Sequence, residues 1–428
     1  AAAAEREPDE VDEVSSEGSS SDEEGGQEPG QAAHSWAARF RVHLGLGSVG
    51  QQAPAAPGAG RAVLISCHAG LGVPALALRE LLPEGRRCVR CVSEADESAM
   101  RFTRANLRPE YAFQNVADVT RGEGHCDVHH RISKMPAAGD GDLAIFTAGF
   151  HMSVFSGLDT RAARIALVHG TCSDTYHALH RCIDARRPHV AILELRGLSE
   201  VPLPQRPGML RCLVDGVDGG GGERSWGLQQ LGSYGVELLE LRAVDFGLPL
   251  AATYTFAVLV REDAGGQRAA ELAANLARAL RGLLPRTSVG ELLLENSNSR
   301  LLQAVKEWKK ADRIVEPADV SRKMQKTFIL EAKEVGVKPG EAPYSELLHK
   351  QLGFQEKEWF PHAMPNQKTF LNLAYAQAKQ AEAALDSVVV DLSQSVRSRP
   401  WREDGLLPAP LAGAGGPQLY SFCRHRPL

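Results

Sequence analysis

Three strand-end positions carry residue types that could act together on one ligand. Gly70 and Gly72 follow the apolar run Arg61 to Cys67, and helical spacing begins at Val73. Glycines in that place let the backbone pass close to a ligand, and the amino end of the helix behind them favours a charged group. A tight turn with no ligand is the alternative reading. Glu94 ends a second apolar run, Arg86 to Ser93, 22 residues after Gly72. A carboxylate at that interval can accept hydrogen bonds from ribose hydroxyls; a solvated Glu is the alternative. Asp118, with Val119, follows a third run from Tyr111 to Val116. It could receive an adenine amino group, or cap a helix. Taken together with His68 and Leu71 in the turn, the three ends point to a nucleoside-containing cofactor.

The fourth position is the stretch DLAIFTAGFHMSVFSGL, Asp142 to Leu158. Leu143 to Phe146 reads as a short buried strand, and the remainder as a loop with Gly, Ser and one His. In an open α/β sheet the chemistry sits on loops outside the carboxyl ends of the strands. That makes this loop the candidate working centre. A helix over about 171–186 and a fifth strand, Val190 to Leu193, ending in Glu194, follow.

These elements alternate strand and helix, which predicts an α/β fold: a doubly wound, mostly parallel sheet with both faces covered. Val236 to Val244 and Thr255 to Val260 read as a strand pair. Residues 1–60 are expected to be a disordered acidic tail and linker, and 61–261 the α/β domain. Residues 262–390 read as a mainly helical unit, with Ala-rich helices over 266–284 and 371–386. Residues 391–428 return to the first domain and include a short strand, Leu419 to Phe422.

Charge is unevenly spread. Residues 1–30 hold 11 acidic side chains and one basic, which leaves the other 398 residues at +5 (47 basic against 42 acidic). An acidic arm on a mildly basic body is compatible with a nucleic-acid partner, and equally with an ordinary solvated tail. The eight Cys are scattered over 428 residues and do not form a disulfide framework. No run nears the ~18 apolar residues needed to span a bilayer, so no membrane partner is expected. An intracellular, reducing compartment is expected.

The turn SCHAGLGVPALAL, the segment SEADESAMRFTRANL, the Ala-Asp-Val step and the loop AGFHMSVFSGL follow the motif order of the DNA cytosine C5-methyltransferases. RPHVAILELRGL resembles that family's Glu-containing strand, DFGLPLAATYTFAVLVR its later strand block, and DLSQSVRSRPWR with LYSFCRHR its tail. The resemblance covers about 61–261 and 391–428. It implies S-adenosylmethionine held by His68, Gly70, Leu71, Gly72, Glu94, Asp118 and Val119, a methyltransferase-like sheet, and a target-recognition unit in the place of 262–390. It also implies a cytosine flipped out of DNA, a nuclear location, and Glu194 holding and protonating the base. A partner methyltransferase or a chromatin protein is a further partner of the kind it allows.

The departures fall on the chemistry. Aligned on Phe155 and Ser156, the family's nucleophilic Cys is Met152 here, with His151 in place of Pro and Ser153 in place of Gln. A thioether has no acidic proton and cannot become a thiolate. Leu195-Arg196 replaces Asn-Val, and the family's Gln-x-Arg-x-Arg donors fall on Leu250, Ala252 and Tyr254. His68 and Ser66 replace an aromatic and an acid in the turn. Neither Cys67 nor Cys172 is placed by sequence to substitute for Met152. Cys88, Cys91, His125, Cys126, His129 and His130 are of zinc-ligating type, but a spacing of three in a strand points Cys88 and Cys91 to opposite faces. Buried thiols beside a polar loop are the expectation. The basic block Trp308 to Lys326 reads as an amphipathic helix face with one buried Trp, with contact to DNA phosphates as the alternative.

Overall fold

The computed structural model describes residues 60–151, 171–196, 213–216, 227–283, 333, 365–391, 401–404, 406–408, 419–421 and 426–427. The acidic tail and its linker, apart from Gly60, the loop from Met152 onward, and the basic block around Trp308 lie outside the described residues.

The chain runs β1 (Ala62–Cys67), α1 (Val73–Leu81), β2 (Arg87–Ser93), α2 (Glu97–Leu107), β3 (Tyr111–Phe113) and α3 (Val116–Arg121). It continues through β4 (Glu123–Cys126), β5 (Arg131–Lys134), β6 (Leu143–His151), α4 (Thr171–Arg186) and β7 (Val190–Arg196). Then come β8 (Tyr234–Arg242), β9 (Leu250–Ala251), β10 (Thr253–Arg261) and α5 (Gly266–Ala279). Seven strands form one sheet in the order β3-β2-β1-β6-β7-β10-β8. The first five are parallel, and β10 is antiparallel to both of its neighbours. This is the doubly wound, mostly parallel sheet expected from the sequence, Rossmann-like in architecture. The order reverses direction between β1 and β6, which opens a crevice at their carboxyl ends.

Alternation along the strands assigns the two faces. Ala62 and Leu64 of β1 pack with Ala75 and Leu78 of α1, while Val92 and Ala112 pack with Met100 of α2. On the opposite face Cys67, Phe146, Leu193 and Leu259 meet Val116 and Val119 of α3 and Leu179 and Ile183 of α4 in the largest core cluster. Val258 and Val260 turn from that cluster to Ala270 of α5. Strands covered on both sides need near-continuous apolar runs, and AVLISC and VAILELR supply them. Ser66 and Thr147 are two of the buried polar exceptions in the sheet. They face each other across the β1–β6 seam, and Thr147 Oγ1 donates to Ser66 Oγ at 3.0 Å, which satisfies both where water is excluded.

Several elements differ from the sequence expectation. The third strand stops at Phe113, because Asn115 accepts from the Ala117 amide and starts α3 at Val116. Asp118 and Val119 therefore sit inside a helix and not beyond a strand. β6 runs on through Thr147, Ala148 and Gly149 to His151, so half of the expected loop is strand. Glu194 is followed by two more strand residues. The polar hairpin β4–β5 has no apolar alternation to announce it. α6 (Pro365–Gln380) begins and ends six residues before the expected 371–386. β11 (Val389–Asp391), β12 (Trp401–Arg402), β14 (Leu419–Ser421) and β15 (Arg426–Pro427) build a separate four-stranded sheet, and β13 (Leu407–Pro408) pairs with β9.

The amino ends of the central strands are pinned by side chains. Asp142 accepts from the Arg61 amide at 2.9 Å and the Gly139 amide at 3.1 Å, which hold its carboxyl below the usual carboxylate range. At β7, His189 Nδ1 accepts the Ala144 amide at 2.9 Å, so that nitrogen carries no proton. Burial, followed by the nearby Arg261 charge, pushes the His189 pKa below its ordinary 6.5. The neutral form is favoured in the fold. Its contribution is complete above the ordinary value and is lost as pH falls through the lower, folded value. Stability measured by denaturant should therefore decline as pH falls below the ordinary value of 6.5. His189→Gln, which accepts without titrating, should flatten that decline; an unchanged slope would remove His189 as its source.

Candidate functional site

The register fixes how the candidate residues lie across the carboxyl edge. Ser93, Cys67, Ala148 and Leu193 form one row through β2, β1, β6 and β7, and Gly149 is paired with Glu194. The next row therefore holds Glu94, His68, Gly149 and Glu194. At about 4.8 Å per strand, Glu94 and Glu194 stand roughly 14 Å apart, on either side of the crevice. The turn after β1 and the carboxyl end of β6 flank the switch point itself. The side chains of Phe150, His151 and Met152 lie outside the described residues.

The turn is held from three directions. The Gly70 amide donates to Glu94 Oε2 at 2.7 Å, and Glu94 Oε1 accepts the Asp96 amide at 3.0 Å. Thr103 Oγ1, buried under α2, donates to the Gly70 carbonyl at 3.0 Å. The Ala69 amide donates to Ser93 O, and the Gly72 amide to Ala69 O. His68, Gly70 and Gly72 all have positive φ (49°, 51° and 71°). Gly70 faces open space, whereas a Cβ on Gly72 would run into Leu107 of α2. Gly72 is also the N-cap of α1 and offers no side-chain cap; Pro74 has no amide hydrogen and the Ala75 amide donates to Gly72 O, so the Val73 amide is what the helix's positive end can offer a ligand. A carboxylate has about four acceptor sites, so Glu94 can bind two amides and still accept from a diol. Leu71 and Val73, 55% and 66% exposed, form an apolar rim on the turn.

Asp118 is drawn elsewhere. It pairs with Arg121 within α3, and its carboxyl packs on Gly124 of β4. Val119 is fully buried and can offer a ligand no side chain. The residues that follow the true end of β3 are Gln114 and Asn115, both exposed. The N-cap preference of Asn was the signal available in the sequence. α3 is itself anchored by Arg186, whose Nε donates to Val119 O at 2.7 Å and whose guanidinium also reaches Thr120 O at 3.1 Å.

Cys67 stands next to the turn but points into the core, where its thiol donates to Cys182. That bond and full burial push the Cys67 pKa well above its ordinary value, so it is an inert thiol. Of the zinc-type residues, Cys126 and His129 meet at 3.2 Å, but the set as a whole is not gathered. β2 has a register shift that skips Arg90, so strict alternation does not hold there; yet the Cys88 thiol meets Glu110 at 3.1 Å while Cys91 lies in the central core. No group of three or more metal-ligating side chains occurs among the described residues. In the later strand block, the positions of the expected donors are Leu250 of β9, Ala252 between β9 and β10, and Tyr254 of β10.

No protein-family model matches the chain, and no curated protein is similar to it. Among solved structures, 47% of the chain aligns with 47% of an E. coli prophage protein described as a DNA modification methyltransferase, at TM-score 0.31 and 16% identity. The same share aligns with 49% of S. pombe Dnmt2 methyltransferase at TM-score 0.26 and 10% identity. It also aligns with 53% of the Entamoeba histolytica methyltransferase EhMeth at TM-score 0.27 and 10% identity. The alignments thus span about half of each of these proteins. Likeness at this level says nothing about substrate; strand order and register carry the architecture. No helix among the described residues is long and apolar enough to cross a membrane.

Two substitutions test this construction. Gly72→Ala should lower stability by about 1–2 kcal/mol from the left-handed backbone alone, with more added if Leu107 cannot yield. Arg186→Ala should cost about 2 kcal/mol by uncapping α3. Both are read as denaturant midpoints, and no change in the second would detach Arg186 from the stability of α3.

Proposed function

We propose that the carboxyl edge of the sheet binds S-adenosylmethionine, and that the chain is a DNA cytosine C5-methyltransferase homologue whose capacity for methyl transfer is weak or lost. The observation that carries the cofactor half is the Gly70–Glu94 hydrogen bond at the switch point. It holds a glycine turn, an uncapped helix end and a carboxylate in one frame. In this reading the helix end takes the methionyl carboxylate, Glu94 takes the ribose hydroxyls, and the apolar rim of Leu71 and Val73 lies against the nucleoside. Gln114 and Asn115, in place of Asp118 and Val119, are the residues next to the base. S-adenosylmethionine would supply an electrophilic methyl group there.

The second half of the reading rests on Met152. C5 methylation needs a soft nucleophile that adds to the base and later leaves, and a thioether cannot do this as a thiolate does. Glu194 keeps the position of a base-holding acid, while Leu250, Ala252 and Tyr254 offer no cationic donors. A scaffold that binds cofactor and DNA without efficient transfer fits a regulatory subunit in the nucleus, acting beside a catalytic methyltransferase or a chromatin protein.

Calorimetry with S-adenosylmethionine tests the first half. Binding should be measurable, and Glu94→Ala should weaken it at least tenfold. Thr103→Val, which loosens the turn without removing the carboxylate, should weaken it less. Equal affinity in Glu94→Ala would sink the ribose contact. Incubation with DNA and methyl-labelled cofactor tests the second half: little or no label should reach cytosine, and robust labelling by the unaltered chain would refute the loss of catalysis.

A further inference from the structure

The opposite end of the sheet holds a second concavity, of about 310 Å³, that the cofactor reading does not use. It opens at the amino ends of β1 and β2, below α1 and the carboxyl end of α2. Four arginines line it: Arg61, Arg79, Arg87 and Arg108. Its floor is apolar, made by Ala75, Val89 and Leu107 beside the α1 core cluster.

The charges in the cleft are not balanced by its own acids. Glu110 is engaged from the strand side, where it pairs with Arg90 Nε at 2.9 Å and accepts the Cys88 thiol. Arg61 is paired with Asp142 at 3.6 Å. Arg87 donates to the carbonyls of Arg79 and Leu82 at the end of α1, which fixes the helix end and holds a guanidinium in the wall. Among the described residues Arg79 pairs only with the half-exposed Glu80, at 3.7 Å, an ion pair of little energy. Arg108, in the left-handed position after α2, makes no ion pair among the described residues. Arg79, Arg87 and Arg108 thus face the cavity with Glu84 as the opposing charge.

We infer that this cleft is an anion site for a small phosphate monoester carrying a flat apolar body, of nucleoside monophosphate size. Guanidinium groups present planar donor forks that match phosphate oxygens, and the apolar floor takes the body. The cations converge on one concavity of small-ligand size. A duplex would instead need them spread along a ridge to follow its backbone. The arginines lie at the amino ends of the strands, away from Glu94 and Glu194, and Leu107 of the floor, which also packs against Gly72 of the turn, is left in place by the variants that test the site.

Titration calorimetry of the full chain with adenosine monophosphate, with adenosine as the uncharged control, tests it. Adenosine monophosphate should bind and adenosine should not. The double variant Arg79→Ala/Arg108→Ala removes two exposed side chains that support no described core contact. It should weaken binding at least tenfold, leave the circular dichroism spectrum intact, and leave S-adenosylmethionine affinity where it was. Arg108→Lys should recover part of the loss. Three results would overturn the site: no heat with millimolar adenosine monophosphate, equal binding of adenosine, or affinity unchanged in the double variant. A DNA duplex that binds through these arginines while adenosine monophosphate does not would replace it with a backbone contact. A failure to bind S-adenosylmethionine would strike the carboxyl-edge reading and leave this one standing.

Discussion

Two adjacent parallel strands from which the chain winds away in opposite directions cannot both be followed by a connection over the same space. β1 leads to β2 and β3 on one side, and β6 leads to β7 on the other. The ground between their carboxyl ends is left open, and the turn after β1 must enter it without covering it. Three left-handed residues in five positions make that turn tight enough. The carboxylate from the neighbouring strand keeps it there, because Gly70 would otherwise hold an amide out toward solvent at the edge of a buried core. The placement of α1, with its uncapped amino end over the crevice, follows from this one constraint.

In the proposed reading, cofactor binding and methyl transfer draw on different parts of the sheet. The groups assigned to the cofactor also serve the fold: Glu94 ties the turn, Gly72 admits Leu107, and Thr103 closes the far side. Replacing any of them destabilises the domain as well as the site. The positions where the family's nucleophile and cationic donors would stand fall at or beside strand ends. Position 152 follows directly on the end of β6, and positions 250, 252 and 254 fall around a two-residue strand and the start of β10.

Much of the sheet was legible because burial on both faces leaves a strong mark. β1 and β2 read from continuous apolar runs, and β8 and β10 from a strand pair, with their ends displaced by one or two residues. The ends of β3 and β6 did not read, for opposite reasons. Val116 continues an apolar run although Asn115 has already turned the chain into a helix. Thr147 and Gly149 look like a loop although they are strand residues on a crowded seam. The hairpin of Glu123–Cys126 and Arg131–Lys134 is mostly polar and exposed, so hydrophobic periodicity had nothing to register. The cleft at the amino ends escaped because its four arginines come from four segments spread over 61–108, and no local motif unites them.

β10 lies between β7 and β8 although it follows both in the chain. The strand at the edge, β8, is made first and has no partner until β10 arrives with hydrogen bonds to either side. During synthesis the parallel half, through β7, can assemble early. Its last edge then remains open until residue 261 has left the ribosome. Non-local pairings of this kind are slow, and an unpaired edge is open to association with other chains. The antiparallel strand is thus a keystone in time as well as in space, and the interval before it is set in place is when this chain is most in need of a chaperone.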